Sequence, residues 1–283
     1  MTDFSTLAGR PTKITARGFG WTHAGRTQPA LADIDLVIEP GERVLLCGDS
    51  GSGKSTFLAA IAGVLGSDEE GTRTGEILLE DSTGAVEEPG HSIPVGLVLQ
   101  DPDSQVISAR VGDDIAFGCE NLAYPREEIW RRVAAAKDLV GPFVDLDFPT
   151  ERLSGGQKQR LALAGVIAMG AGVVLLDEPT ANLDPAGARD VVRAVSALVE
   201  ETGATLVVVE HQHTAWEGLL DRAVEIAHGR IVADGPFEQI ARRRRVEELP
   251  QARELGDGAA REGDAALWSK DLVTRFGPPR TIS

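Results

Sequence analysis

The chain has 283 residues, of which 42% are apolar and 25% are charged, the balance of a folded protein rather than a disordered one. It contains 28 Lys and Arg residues and 44 Asp and Glu residues, so the net charge is −16. An acidic surface repels phosphate backbones, and we therefore expect no nucleic-acid partner. Cys47 and Cys119 lack the spacing of a zinc site. A reduced compartment is the simpler expectation, and one disulfide between the two cysteines is the alternative.

The first half of the chain begins without the apolar stretch that a signal peptide requires. Short strands are predicted within residues 12–47, the last of them the apolar run RVLLC at 43–47, which suits a buried parallel strand. A glycine-rich loop and a helix near 54–64 follow, and then strands at 75–81 and 94–100. Between Val111 and Val140 the pattern is helical, with Pro125 where a helix could start.

The second half alternates helices and strands: a helix from 154 to about 169, a strand at 173–177, a helix at about 185–200 and a strand at 205–209. Such alternation predicts an α/β fold with a parallel sheet. The longest apolar run, residues 161–176, is interrupted by Gly170-Ala171-Gly172. This favours a buried helix, a tight turn and a buried strand over a membrane span, and we expect no transmembrane segment.

A phosphate-binding loop is predicted between the strand 43–47 and the following helix. The segment matches GxxxxGK[ST], in which backbone N–H groups and the helix N-terminus surround phosphates. Lys54 would contact the terminal phosphates and Ser55 would help to hold Mg²⁺. The candidate nucleotide-binding residues of this loop are Gly48, Asp49, Ser50, Gly51, Ser52, Gly53, Lys54, Ser55 and Thr56.

Two further segments carry candidate site residues. The strand VVLLD ends at Asp177, which could anchor Mg²⁺, and Glu178 would then face the water that attacks the γ-phosphate. A helix-entry signal is the alternative for this Asp-Glu pair. The second segment is Leu153-Ser154-Gly155-Gly156-Gln157, in which Ser154 is a good N-cap and the glycines expose backbone donors. It predicts a second anion-binding helix start.

Five motifs in this order resemble the ATP-binding subunits of ABC transporters: the phosphate loop, LSGGQ, the Asp-Glu strand end, Asn182-Leu183-Asp184, and His211 after the next strand. The resemblance covers about residues 10–240. It implies a P-loop NTPase with a RecA-like parallel-sheet core, an N-terminal antiparallel β-subdomain and a helical subdomain at about 101–165. It also implies ATP and Mg²⁺ as ligands.

The resemblance implies a role for each motif. ATP would lie between two ATPase domains, identical or paralogous, with the phosphate loop of one facing Ser154, Gly155, Gly156 and Gln157 of the other. Glu178 would orient or deprotonate water, His211 would contact the γ-phosphate, and Gln100 would sense both Mg²⁺ and the membrane partner. Asp184 would cross the dimer interface. Trp21 would stack on adenine, with a buried tryptophan as the alternative, and a core histidine is the alternative for His211.

The segment after Gln100 resembles that of the ATPase components of energy-coupling-factor importers, which take up vitamins and cobalt. Asp101, Ser104 and Ile107 depart from the family pattern. This implies an ATPase motor on the cytoplasmic face of the cell membrane, working with an integral membrane transport component and a substrate-binding membrane component. The rival hypotheses are a soluble ABC ATPase that is not coupled to transport and a regulatory module with little turnover.

The C-terminal residues 241–283 form a predicted polar extension. Arg242–Arg245 favour a solvated helix end over an anionic membrane contact. LWSKDLVTRFG at 267–277 resembles the opening strand of a second ATPase domain, with Phe276 at the adenine-stacking position. A simple extension is an equal alternative.

Overall fold

The computed structural model describes Leu7 and residues 9–66, 70–141, 144–211 and 213–248. The first of two compact units ends at Arg242 and contains the whole site described below. The predicted strand at 267–277, with Phe276, lies outside the described residues. None of the helices in the described ranges combines the length and apolar character that a membrane crossing requires.

A four-stranded antiparallel sheet comes mainly from the N-terminal part of the unit. Its strands are β1 (Lys13–His23), β2 (Leu31–Ile38), β4 (Gly71–Glu80) and β5 (Val86–Glu87), in the order β2-β1-β4-β5. β2 alternates buried and exposed positions along its length, as expected for a sheet with one face on the core.

A six-stranded sheet forms the centre of the unit. Its strands are β3 (Arg43–Cys47), β6 (Val95–Val98), β7 (Val173–Asp177), β8 (Thr205–Val209), β9 (Arg222–Ala227) and β10 (Arg230–Pro236), in the order β10-β9-β3-β8-β7-β6. All of its pairings are parallel except that of β10 with β9. β8 is buried throughout, because both faces of the sheet are covered. Leu206 and Val208 pack against the helices Gly155–Met169 and Pro185–Thr202, while Val207 and Val209 lie in the core that contains the helix Lys54–Ile61 and the antiparallel sheet. The predicted α/β class with a parallel core and an antiparallel subdomain is confirmed.

Six α-helices occur in the described residues, and proline or glycine marks some of their ends. They are α1 (Lys54–Ile61), α2 (Val111–Asn121), α3 (Arg126–Leu139), α4 (Gly155–Met169), α5 (Pro185–Thr202) and α6 (Phe237–Glu248). Pro125 directly precedes α3, as predicted. α4 ends at Gly170 in the left-handed conformation, with φ 73°, and β7 follows. The predicted helix, turn and strand within 161–176 are therefore confirmed.

Candidate active site

The phosphate loop lies between β3 and α1, and its glycines adopt conformations that other residues avoid. Gly48, Gly51 and Gly53 have φ of 144°, 76° and 109°. A Cβ at Gly48 would lie 2.1 Å from the carbonyl oxygen of Ile226, and one at Gly53 would lie 2.6 Å from that of Ala30. Glycine is required here by both backbone conformation and space.

Two polar side chains are buried in this loop. Lys54 is 6% exposed, and its Nζ donates to the carbonyl oxygens of Gly48 and Asp49 at 2.8 and 2.9 Å. Ser52 is also 6% exposed, and its Oγ has no hydrogen-bond partner among the described residues. A buried hydroxyl without a partner is costly. The loop therefore combines an ammonium group with an unsatisfied hydroxyl, which fits the phosphate groups of a nucleotide.

Ser55 and Asp177 lie together beside this loop. Asp177 ends β7, and its carboxylate accepts a hydrogen bond from the Ser55 side chain at the start of α1. Burial raises the pKa of Asp177 above its ordinary value, although the Ser55 hydrogen bond and the Lys54 charge oppose the rise. A hydroxyl and a carboxylate are the hard oxygen donors that Mg²⁺ prefers, and this pair fits the ion.

The raised pKa of Asp177 predicts that this residue lowers the stability of the free protein. The folded state holds the proton more tightly than the unfolded state, so stability falls as pH rises from the ordinary Asp pKa through the raised one. We expect Asp177→Asn to raise the free energy of unfolding at pH 7 while weakening Mg²⁺-dependent ATP binding. Urea unfolding at pH 7 and pH 4 measures this, and the gain should shrink at the lower pH.

Asp113→Asn is the matched control, because Asp113 is exposed in the first turn of α2, where a negative charge is favourable. Its substitution should not stabilise the protein. Equal stability of the wild-type protein and Asp177→Asn at pH 7 would contradict an unfavourable buried charge at Asp177.

Glu178 follows β7 and contacts the two other candidate catalytic residues, Gln100 and His211. Its Oε2 accepts from Gln100 Nε2 at 3.0 Å, and its Oε1 lies 3.0 Å from His211 Nε2. The Glu178 side chain is 21% exposed, so it is accessible without being fully hydrated. The structure thus brings together Gln100 after β6, Glu178 after β7 and His211 after β8, at one edge of the parallel sheet.

The backbone of Glu178 is strained. Its φ is 47°, in the left-handed region that non-glycine residues rarely adopt. Its N–H donates to the carbonyl oxygen of Val209 in β8 at 2.9 Å, which holds this conformation against the sheet. Strain of this kind occurs where surrounding contacts fix a side chain in a required direction.

Two glutamines that the sequence analysis did not single out hold the segment before Gln100. Gln105 accepts from the Leu99 N–H at 2.8 Å and donates to the Leu99 carbonyl oxygen at 2.9 Å. Gln159 of α4 donates to the same carbonyl at 3.2 Å and is 1% exposed. A glutamine four positions before the buried Leu163, on the apolar face of α4, was the available signal.

The LSGGQ residues form the N-terminus of α4. Ser154 is its N-cap, and its Oγ accepts from the Gln157 N–H while Gln157 Oε1 accepts from the Ser154 N–H, a capping box. The predicted N-cap is confirmed. Ser154 and Gly155 are exposed and Gly156 is partly exposed, which leaves this helix start accessible to a partner.

Asp184 caps the next helix. Its Oδ1 accepts from the Gly187 N–H at 2.7 Å at the start of α5, and the residue is exposed. The cap is a structural role that the sequence analysis did not assign. Its predicted place at a dimer interface stays a prediction.

Trp21 requires a correction. The residue is 4% exposed and packs in the core under the antiparallel sheet, where a Cβ at Gly71 would lie 2.3 Å from its Cζ2. Its Nε1 donates to Nδ1 of His23 at 3.1 Å. No open ring face remains for adenine in this structure, and the alternative of a buried tryptophan describes the residue.

The family model described as ABC transporter matches residues 31–181. The energy-coupling factor transporter ATP-binding protein EcfA1 of Caldanaerobacter subterraneus subsp. tengcongensis is 36% identical over 249 residues, which cover 84% of this chain and 86% of EcfA1. A putative ABC transporter ATP-binding protein of Methanosarcina acetivorans is 39% identical over 226 residues, or 80% of this chain. The match spans only 35% of that relative's length.

The chain is also similar to solved structures. CbiO1 of Clostridium perfringens, described as part of the ABC transporter complex cbiONQ, has a TM-score of 0.69 at 31% identity and covers 82% of this chain and 92% of its own. The ATP-binding cassette MJ0796, a dimer bound to ADP and Pi, has a TM-score of 0.65 at 22% identity and covers 79% of this chain and 98% of its own. The MJ0796 likeness supports the fold alone.

Proposed function

We propose that this chain, which belongs to the ABC transporter family and carries an ABC ATPase domain, is the ATP-hydrolysing motor subunit of an importer of the energy-coupling-factor type. The observation that carries the proposal is the contact of Glu178 with both Gln100 and His211. It lies in a chain that also holds a phosphate loop beside the Ser55–Asp177 pair. We keep residues 10–240 as the proposed ATPase domain, with the helical subdomain at about 101–165.

The residues of the phosphate loop would bind the nucleotide. Lys54 would exchange its two backbone carbonyl partners for oxygens of the terminal phosphates, and the Ser52 hydroxyl would gain a partner. Ser55 and Asp177 would hold Mg²⁺, with Gln100 as a further oxygen ligand. When bound, the ion neutralises charge that develops on the phosphates.

Glu178, Gln100 and His211 would act on the reacting end of ATP. Hydrolysis is an in-line attack of water on the γ-phosphate, and it depends on positioning and electrostatic stabilisation. Glu178 would accept a hydrogen bond or a proton from the water, while His211 would donate to the γ-phosphate. Gln100 and His211 contact opposite oxygens of the Glu178 carboxylate, so γ-phosphate binding could exchange these contacts and turn the carboxylate toward water.

A complete site requires a second ATPase domain in this proposal. The accessible start of α4 would face the phosphate loop of the partner, so that ATP lies between the two domains. Activity should then rise faster than linearly with protein concentration near the dimerisation midpoint. The partner can be a second copy of this chain or a paralogue.

The contact with a membrane component would lie around Gln100. Exposed apolar side chains occur in this part of the chain: Leu99 is 39% exposed, Ile107 61% and Phe117 37%. We call these three residues the docking surface. These three side chains would form one exposed apolar patch, the kind of surface that marks a protein contact. Movement of Gln100 would pass from the nucleotide to the docked protein. The chain would thus lie on the cytoplasmic face of the cell membrane as a peripheral subunit.

The similarity to EcfA1 and CbiO1 supports an importer with an integral membrane transport component and a substrate-binding membrane component. The substrate class would be a vitamin or a transition-metal ion. The alternative is a soluble ABC ATPase that is not coupled to transport.

Capture of partners from membranes tests this proposal. A tagged full-length Glu178→Gln chain, expressed in its native cells and solubilised with ATP and Mg²⁺, should retain a polytopic membrane protein together with a small second one. Ile107→Asp in the same background should lose both. Val64→Asp is the control, since Val64 is 62% exposed but lies outside the docking surface. Recovery of soluble partners alone would favour the uncoupled ATPase, and equal capture by Ile107→Asp would place docking elsewhere.

A further inference from the structure

A buried carboxylate lies next to His211 and is not part of the proposed catalytic group. Glu210 follows β8 and is 4% exposed. Its Oε1 accepts from the His211 backbone N–H at 2.9 Å, and its Oε2 accepts from the Thr180 hydroxyl. Burying a carboxylate is unfavourable unless it is hydrogen-bonded, and both of its oxygens are used here.

The two partners of Glu210 belong to the two segments that carry the Glu178–His211 pair. Thr180 is two residues after Glu178, in the turn that follows β7, and His211 directly follows Glu210 in the segment after β8. The same segments are joined by the N–H of Glu178 and the carbonyl of Val209, at 2.9 Å. One bond is therefore made by the backbone of the strained Glu178 itself and the other by the Thr180 side chain, two residues later.

The turn held by Glu210 also leads to the predicted dimer contact. The N–H of Leu183 donates to the carbonyl of Thr180 at 3.2 Å, and Asp184 follows as the cap of α5. The Thr180 side chain thus fixes the start of the segment that ends at Asp184.

We propose that Glu210 is a positioning residue for ATP hydrolysis: through Thr180 and the His211 backbone it sets the distance between the Glu178 carboxylate and the His211 ring. The inference rests on the proposed function. Glu210 touches neither nucleotide nor water in this assignment, so its loss acts on turnover and leaves nucleotide binding unchanged.

Substitutions at Thr180 test the inference with small changes in shape. Thr180→Val removes the hydroxyl and keeps the volume, and we expect kcat to fall about tenfold, with KM and ATP affinity within twofold of the wild type. Thr180→Ser restores the hydroxyl, and we expect it to recover most of the lost kcat. The unfolding midpoint of each variant is measured in parallel, because a merely structural defect would lower stability and would not separate kcat from KM.

Glu210→Met provides the second arm, because its side chain has a similar length but no carboxylate oxygen to accept from the Thr180 hydroxyl or the His211 N–H. We expect a loss of kcat at least as large as in Thr180→Val. Since the Thr180–Glu210 hydrogen bond is already absent in Glu210→Met, the double variant Thr180→Val/Glu210→Met should be no slower than Glu210→Met alone. Unchanged kcat in Thr180→Val, equal loss in Thr180→Val and Thr180→Ser, or additive losses in the double variant would each overturn the inference. Failure of the proposed function has a different result: the wild-type protein itself would show no Glu178-dependent hydrolysis.

Discussion

Glu178→Gln is expected to reduce ATP hydrolysis by about 10²- to 10⁴-fold, the range that positioned acid–base groups contribute, while ATP binding is retained. The amide has nearly the same shape as the carboxylate and still accepts from Gln100 through its oxygen. It carries no negative charge and cannot take a proton from water. Turnover of ATP measured by phosphate release, together with nucleotide affinity measured by calorimetry, separates the two effects.

Glu80→Gln is the matched control for this experiment. Glu80 is an exposed residue at the end of β4, in the antiparallel sheet, and its substitution should leave both turnover and affinity unchanged. Near-normal hydrolysis by Glu178→Gln would remove Glu178 from the catalytic role, and loss of ATP binding would show that its contacts with Gln100 and His211 maintain the nucleotide site instead.

Much of the core of the fold could be predicted because its signals are local. β7 and β8 are almost wholly apolar over five residues each. Runs this short, with helical segments between them, predict strands buried on both faces of a parallel sheet. Ser154 and Gly170 mark the two ends of α4 by capping chemistry that depends on neighbouring residues alone. The same reasoning located the phosphate loop, because a strand before it and a helix after it are both needed.

Other features depend on partners distant in sequence and were not predicted. β9 contains Glu225, which is buried opposite Cys47 of β3, and a charged residue in the middle of a short run conceals a central strand. Trp21 has the position of an adenine-stacking residue, but its close packing against Gly71 in β4 is set by a strand pairing. Glu210 and Gln159 are buried polar residues whose partners are visible only once the elements are assembled.

Mixing two inactive variants should restore activity if ATP lies between two copies of this chain. Lys54→Ala removes the ammonium group that is proposed to bind phosphate, and Ser154→Arg places a bulky cation at the start of α4. In the mixed dimer one site combines both defects, while the other combines an intact phosphate loop with an intact α4 N-terminus. With random pairing we expect about a quarter of the wild-type rate, because half of the dimers are mixed and each holds one complete site.

The control uses two substitutions on the same side of the site. Lys54 and Glu178 of one chain contribute to the same half of the composite site. Asp177, which lies next to Glu178, interacts with both Ser55 and Lys54. A mixture of Lys54→Ala with Glu178→Gln therefore contains no complete site in any dimer and should stay inactive. Recovery in the first mixture alone would show that identical chains share the site. Recovery in both mixtures would contradict this assignment of residues to one half, and recovery in neither, with an active wild-type protein, would contradict the composite site.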